Sequence, residues 1–344
     1  MVLYIIIAIV IFGVLIAVHE LGHFMAAKAV GIRVNEFSIG MGPAYFKRQR
    51  GETLYALRVL PIGGYCAMEG EDEQSEDKRA FTSKGFWARF LVLIAGSGMN
   101  FITGLLIVLI LFSSAQGFYT TTIAAETEGS AFFQETGLQP GDKLLKVDGE
   151  RVYTYSDLFT ILSRAKTERV DVEIRRDGAR RELRDVEFAY GDLASFTVKT
   201  ERATLWTMMK NTWYTGIDFV RLVRMSLVDL FTGGLSVKDL SGPIGIVDTI
   251  GEVGASAKSF GEAMGNIAYL AAFIAVNLAV MNMLPIPALD GGRVFFLIVT
   301  TVLEKIRRKK IDPKYEGYVH MAGLVCLLGL MVFVAFNDIV KIIA

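Results

Sequence analysis

Residues 2–27 form an apolar run whose only acidic or basic side chains are His19, Glu20 and His23. A helix needs roughly 20 predominantly apolar residues to cross a bilayer. Backbone polar groups in lipid must pair within the segment, so such a run folds as a helix. An acidic side chain inside it costs roughly 2.5–3.5 kcal/mol on insertion scales, which makes a functional reason the default. Residues four apart share one helix face, so His19 and His23 of the H-E-x-x-H motif can bind one metal ion. Two imidazoles and a carboxylate suit zinc, with a fourth position open to water. The metal brings the pKa of that water to about 7, and Glu20, next to His19, can take its proton. Residues 2–18 rise about 26 Å against a hydrocarbon core of about 30 Å, which places the motif inside the membrane near one face.

Three further runs are long enough to span: Phe90 to Phe112, Ala263 to Leu289, and about Tyr318 to Phe336, with His320 near the start of the last. No basic segment follows Met1 and no small-residue cleavage site stands out, so a cleaved signal peptide is not expected. The link between the first two spans carries Lys28, Arg33, Lys47, Arg48, Arg50, Arg58, Lys78, Arg79, Lys84 and Arg89. The link between the last two carries Arg293, Lys305, Arg307, Arg308, Lys309, Lys310 and Lys314. The positive-inside rule puts both links in the cytoplasm, with both termini and the long central region outside. Net charge is zero, from 36 Lys and Arg against 36 Asp and Glu, with an acidic group at Glu71, Asp72, Glu73, Glu76 and Asp77 beside the first link. No basic field points to nucleic acid as a partner. Two distant cysteines, Cys66 and Cys326, make no disulfide framework.

Residues 34–67 lie between two spans yet alternate like strands, and a hairpin turned by Gln49-Arg50-Gly51-Glu52 fits them. Such a hairpin enters the membrane only where protein or water covers its backbone. Residues 118–198 read as a soluble domain, with turns at Asp148-Gly149 and Asp177-Gly178 and a helix from Tyr155 to Ala165 capped by Ser156. Residues 202–232 form an amphipathic helix. Two placements fit it equally, on the outer leaflet or packed on the preceding domain. Residues 233–262 are Gly-rich and, with Ser241-Gly242-Pro243-Ile244-Gly245, read as a loop or short re-entrant piece.

A third protein ligand is needed. His320 is isolated at the start of its span and reads as a polar boundary residue. Asp290 ends the third span in Asn282-Met283-Leu284-Pro285-Ile286-Pro287-Ala288-Leu289-Asp290-Gly291-Gly292. Two prolines break the helix there and expose the carboxylate. The first and third spans run in the same direction, so His23 and Asp290 fall at similar depth.

With these residues in view, the chain resembles the site-2 protease family of intramembrane zinc metalloproteases, in the bacterial branch that carries a PDZ domain. The H-E-x-x-H at 19–23 and the Asn-x-x-Pro-x-Pro-x-Leu-Asp-Gly at 282–291 are similar to its two defining motifs. Gly137-Leu138-Gln139-Pro140-Gly141-Asp142 with Val147-Asp148-Gly149 resembles a PDZ domain. Gly63-Gly64-Tyr65 and Gly242-Pro243-Ile244-Gly245 resemble family signatures, and the likeness runs over essentially the whole chain. The resemblance implies His19, His23 and Asp290 as zinc ligands and Glu20 as catalytic base. It also implies substrate-facing roles for Asn100, Asn282, Gly63 and Gly64. Ser97 stands where relatives usually have Pro, and Cys66 where they have an aliphatic residue.

The expected fold class is a polytopic α-helical membrane protein. It has four transmembrane helices, a membrane-associated β-hairpin and one extracytoplasmic PDZ domain of α+β type. The expected divisions are residues 1–117 (first two spans, zinc motif and hairpin), 118–198 (PDZ domain), 199–262 (amphipathic helix and Gly-rich linker) and 263–344 (last two spans). The expected activity is cleavage of peptide bonds within spans of single-span membrane proteins, such as anti-sigma factors or remnant signal peptides. The bilayer, and a peptide or trimmed substrate end at the PDZ domain, are the other expected partners. The competing reading is a non-catalytic membrane adaptor working through its PDZ domain. An intact His-Glu-His plus Asp set argues against it.

Overall fold

Three of the four apolar runs are helical throughout and the third is helical as far as Asn282, because in such a segment only i to i+4 pairing satisfies every backbone group. The computed structural model describes residues 2–71, 75–128, 130–234, 242–307 and 314–343. In chain order come helix α1 (Val2–Ala29), strands β1 (Val34–Arg50) and β2 (Thr53–Met68), and helix α2 (Phe86–Phe112). Next are β3 (Gly117–Glu126), α3 (Phe132–Thr136), β4 (Lys143–Val147), β5 (Glu150–Arg151), α4 (Tyr155–Leu162), β6 (Arg169–Arg176), β7 (Ala179–Glu187) and β8 (Phe196–Arg202). Helices α5 (Leu205–Thr232), α6 (Pro243–Ser256), α7 (Phe260–Asn282), α8 (Asp290–Arg307) and α9 (Lys314–Ile343) complete the chain. Among the described residues, four stretches are long and apolar enough to cross a membrane: Leu3–Ala29, Phe86–Phe112, Phe260–Asn282 and Gly317–Lys341. Two units emerge, Met1–Ile107 with Val223–Ala344, and Val108–Leu222.

In the first unit, β1 and β2 form a hairpin closed at Arg50 and Thr53, with Gly51 in the left-handed region at φ 60°. Both strands bend, so that Phe37 pairs with Tyr55 on one side and with Cys66 on the other. Arg58 holds the bend. Its guanidinium donates to Ser38 Oγ at 2.6 Å, Gly42 O at 2.6 Å and Glu36 at 2.7 Å. Glu52 at the turn accepts from Lys28 of α1 at 2.8 Å and from Arg79 at 2.7 Å, which ties the hairpin to the end of the first span. One core, with Ile32, Val34, Met68, Val92, Leu93 and Leu297, lies beneath the hairpin; another joins α1, α6 and α7 through Leu15, Ile250, Ile267 and Ile274.

Three details correct the sequence reading. The third apolar run does not continue to Leu289: α7 stops at Asn282, because Pro285 and Pro287 cannot donate to the ladder. Residues 243–256, expected as a loop or re-entrant piece, form helix α6, with Pro243 in its first turn. The carboxylate of Asp338 on α9, buried to 2 % exposure, accepts the N–H groups of Gly242 and Gly245 at 2.9 Å each. Helix α4 is capped by Thr154, not Ser156. Thr154 and Asp157 form a capping box, and the helix ends at Leu162 rather than Ala165. Ser241, Asp72, Glu73, Arg308, Lys309 and Lys310 lie outside the described residues.

The second unit is a sheet in the order β7-β6-β4-β3-β8, with β5 on β4. Its core includes Ile123, Leu138, Leu144, Leu158, Ile174 and Phe188. Fully buried Asp142 receives the Arg176 guanidinium at 2.7 and 2.6 Å and the Gln139 N–H at 2.9 Å. The Asp of the Leu-Gln-Pro-Gly-Asp segment is therefore a paired structural charge. Residues 205–222 of α5 belong to this unit. Arg221 donates to Arg151 O at 2.6 Å and to Asp218, which also accepts from Thr160 of α4 at 3.1 Å. Both proposed placements of α5 thus have a face: the polar side packs on α4 and β5, while Leu205, Trp206, Met209 and Trp213 remain exposed.

Candidate metal centre

The two motifs, some 270 residues apart in the chain, meet in the first unit. One helical turn of α1 stacks the imidazoles of His19 and His23. Their Nε2 atoms lie 3.1 Å apart. Asp290 Oδ2 lies 3.1 Å from His19 Nε2 and 3.3 Å from His23 Nε2. Both histidines are buried.

Local sequence explains each placement. Residues 283–289 turn back after α7, with Ile286 N–H bonded to Leu284 O at 2.7 Å and Ala288 in the left-handed region at φ 76°. Asp290 then opens α8, where an acidic side chain suits the helix dipole. Gly291 and Gly292 let this loop close on the helix: a Cβ on either would stand 2.3 Å from backbone of Met283 or Ile286. The Ala288 N–H donates to His320 Nδ1 at 3.0 Å, so the residue read as a polar boundary group instead holds the loop that carries Asp290.

The donor set fits a cation. His23 Nδ1–H donates to Val92 O at 2.8 Å, which leaves Nε2 as an acceptor aimed into the centre. Asn100 of α2 is buried, and its amide stands 3.5 Å from His19 Nδ1. Its Oδ1 has no hydrogen-bond partner among the described residues. Exchanging the amide's O and N, which are interchangeable in shape, lets Oδ1 accept from His19 Nδ1–H and frees that Nε2 too. Asp290 Oδ2 likewise has no hydrogen-bond donor among the described residues. The two Nε2 atoms and Asp290 Oδ2 face one another at 3.1–3.3 Å. Ligands about 2.05 Å from a tetrahedral ion are separated by roughly 3.3 Å, so the triangle matches three corners of a zinc site.

Glu20, half-buried, is one residue along from His19. Strand β2 passes close to it at Gly64. Residues 64–68 pair with residues 34–39 on one side only. Gly64 permits the approach, since a Cβ there would lie 2.9 Å from Ser38 O and 3.2 Å from Glu20 Cγ. Gly63 sits at φ 82° beneath the Met41 side chain. Asn282 is the last residue of α7, half-buried, at the entry to the 283–289 loop.

Two glycines escaped the sequence reading. A Cβ on Gly96 of α2 would lie 2.3 Å from His23 Nε2 and 2.8 Å from His19 Nε2, so the bare backbone is the wall against which the imidazoles rest. Gly22, inside the H-E-x-x-H motif, lets α1 reach α2: its Cβ would stand 2.4 Å from Ala95 O. Glycine in an apolar helix reads as packing, so only its spacing beside Asn100 could have signalled a role.

A protein of Clostridium perfringens named "Putative zinc metalloprotease" is 36% identical over 343 residues, covering 98% of this chain and 99% of that one. "Regulator of sigma-W protease RasP" of Bacillus subtilis is 27% identical, covering 97% of each chain. "Zinc metalloprotease RasP" of Shouchella clausii is 29% identical, covering 97% and 98%. The family model described as Peptidase family M50 matches residues 7–330, and the chain belongs to that family.

Proposed function

We propose that this membrane metallopeptidase is a zinc endopeptidase that cleaves peptide bonds inside membrane-spanning segments. One observation carries the reading: the ligand atoms of His19, His23 and Asp290 converge within 4.8 Å of one another, with Glu20 beside them, and the histidines stand on a helix apolar enough to cross a bilayer. His19, His23 and Asp290 would hold the metal. Zinc, when bound, supplies a Lewis acid for the scissile carbonyl and acidifies water. Glu20 takes the proton of the attacking water and returns it to the leaving amine nitrogen. Val92 O and Asn100 orient the two imidazoles through their Nδ1 atoms.

A helical substrate hides its carbonyls in i to i+4 bonds and must unwind before attack. The free edge of residues 64–68, with Gly63 and Gly64, suits an unwound segment laid alongside as an added strand. Asn282 is placed to contact the same backbone. Residues 118–198 act as a PDZ domain that binds a peptide end or excludes bulky ectodomains. The basic links set the active site toward the cytoplasm and both termini outside. Single-span membrane proteins, anti-sigma factors or remnant signal peptides among them, are the substrate class.

The test is co-reconstitution of the purified protein with a single-span substrate in proteoliposomes, with cut sites mapped by mass spectrometry. The expected cut falls within the apolar segment and disappears in Glu20→Gln, while zinc content is retained. Equal cleavage by Glu20→Gln, or cuts confined to soluble tails, would overturn the reading.

A further inference from the structure

We propose that residues 108–222 carry a phosphate-binding cleft, between the sheet and the start of α5, that takes the headgroup of an anionic phospholipid. The cleft has a volume of about 430 Å³. Its cations are Lys143, Lys146, Arg151, Arg180 and Lys210; its carboxylates are Glu173 and Glu201. Glu173 is taken by Lys146 at 2.8 Å and Arg180 at 3.7 Å, and Glu201 by Lys210. Lys143 and Arg151 keep no acidic partner within 4.0 Å among the described residues. Buried Val152 and the stacked rings of Tyr153 and Tyr214, 4.8 Å apart, supply low-dielectric walls. Such walls focus the excess positive field on the cleft. An anion with several acceptor oxygens suits cations that form no ion pair of their own.

The lipid is favoured as source by what surrounds the cleft. Phe118 packs on Phe112, the last residue of α2, with ring centroids 5.2 Å apart, so β3 leaves directly from the end of a spanning helix. The Ala203 N–H donates to Gln116 O, which joins the start of α5 to the segment that leads into β3. From there α5 turns Lys210, Asn211 and Tyr214 into the cleft. Leu205, Trp206, Met209 and Trp213 stay exposed, with Trp206 at 72 %. Apolar and indole side chains beside a cationic face are the chemistry of a helix lying at the headgroup boundary. The inference rests on the spanning helices and not on the peptidase reading.

The test uses the full-length protein in detergent micelles, titrated with phosphatidylglycerol or phosphatidylcholine and read by native mass spectrometry. Wild type should retain phosphatidylglycerol over phosphatidylcholine. Lys143→Ala/Arg151→Ala should weaken retention by roughly 25-fold, at about fivefold per cation. The charge-matched control Lys166→Ala/Lys199→Ala, with both side chains exposed outside the cleft, should leave it within twofold. Excess inorganic phosphate separates the sources. Competition would assign recognition to the phosphate group itself. Its failure, with cation-dependent lipid binding intact, would assign it to the lipid. Equal retention of both lipids, or equal retention by the double variant and wild type, would overturn the proposal.

Discussion

Gly96→Ala adds one methyl group and should empty the metal centre. The added Cβ would lie 2.3 Å from His23 Nε2 and 2.8 Å from His19 Nε2. Ordinary contact is about 3.5 Å, so the two nitrogens must retreat by roughly 1.2 and 0.7 Å. Metal–ligand distances tolerate only about 0.2 Å. Neither imidazole can yield freely, because His23 is pinned through Val92 O and His19 faces buried Asn100. The expected loss of zinc affinity is about 100-fold or more, at or beyond the upper end for mutations around a ligand shell. Gly98→Ala is the internal control. It lies in the same helix, has nothing within 4 Å of its Cβ, and should be neutral or stabilising by up to about 1 kcal/mol. The assay is zinc retention against a chelator series, read by elemental mass spectrometry. Circular dichroism reports whether α2 remains helical. A folded Gly96→Ala protein that holds zinc within threefold of wild type would refute the steric reasoning.

Other substitutions probe the supports. His320→Ala removes the acceptor for Ala288 N–H, so amide exchange in residues 286–290 should speed up and zinc affinity fall by about tenfold; unchanged exchange would reject its bracing role. Asp338→Ala strands two amide donors, those of Gly242 and Gly245, and should cost about 2–4 kcal/mol, read as a lowered Tm in micelles. Burial, and then nearby Asp157, push the Asp218 carboxyl up to about 6, against the pull of Arg221. The folded state then holds a proton that the unfolded chain releases near pH 4. The unit Val108–Leu222 should therefore lose stability as pH rises from about 4 to 6, by an amount on the order of 3 kcal/mol. Asp218→Asn should flatten that slope, and a slope preserved in the variant would contradict the assignment.

Much of the molecule was legible because lipid leaves few choices. An uncharged run must be a helix, and an acid within it demands a reason. Turn chemistry was equally direct: Asp148-Gly149 and Asp177-Gly178 both adopt positive φ at both residues, as Asp-Gly hairpin turns require. What stayed hidden depended on contacts distant in sequence. The glycine-rich stretch around α6 looked like a loop, yet Gly254 rests against the ring of Tyr4 and Gly242, just before the helix, against Asp338, so these two shorten helix contacts rather than loosen the chain. Asp338 could not be paired with Gly242 before α9 and α6 were seen together. Thr154 outcompeted Ser156 because Asp157 sits three residues on and completes the box. Within the site, the residue types were readable, but the walls and braces were not. Gly96 and His320 work through shape and through a backbone amide, and neither leaves a pattern along the chain.

Zinc-edge X-ray absorption of the purified protein, with Asp290→Ala in parallel, reads which atoms hold the metal. The expected spectrum has nitrogen and oxygen ligands at about 2.0–2.2 Å with two imidazoles, and the variant loses zinc or one oxygen ligand. A sulfur shell at about 2.3 Å, or an identical spectrum at full zinc occupancy in Asp290→Ala, would contradict it.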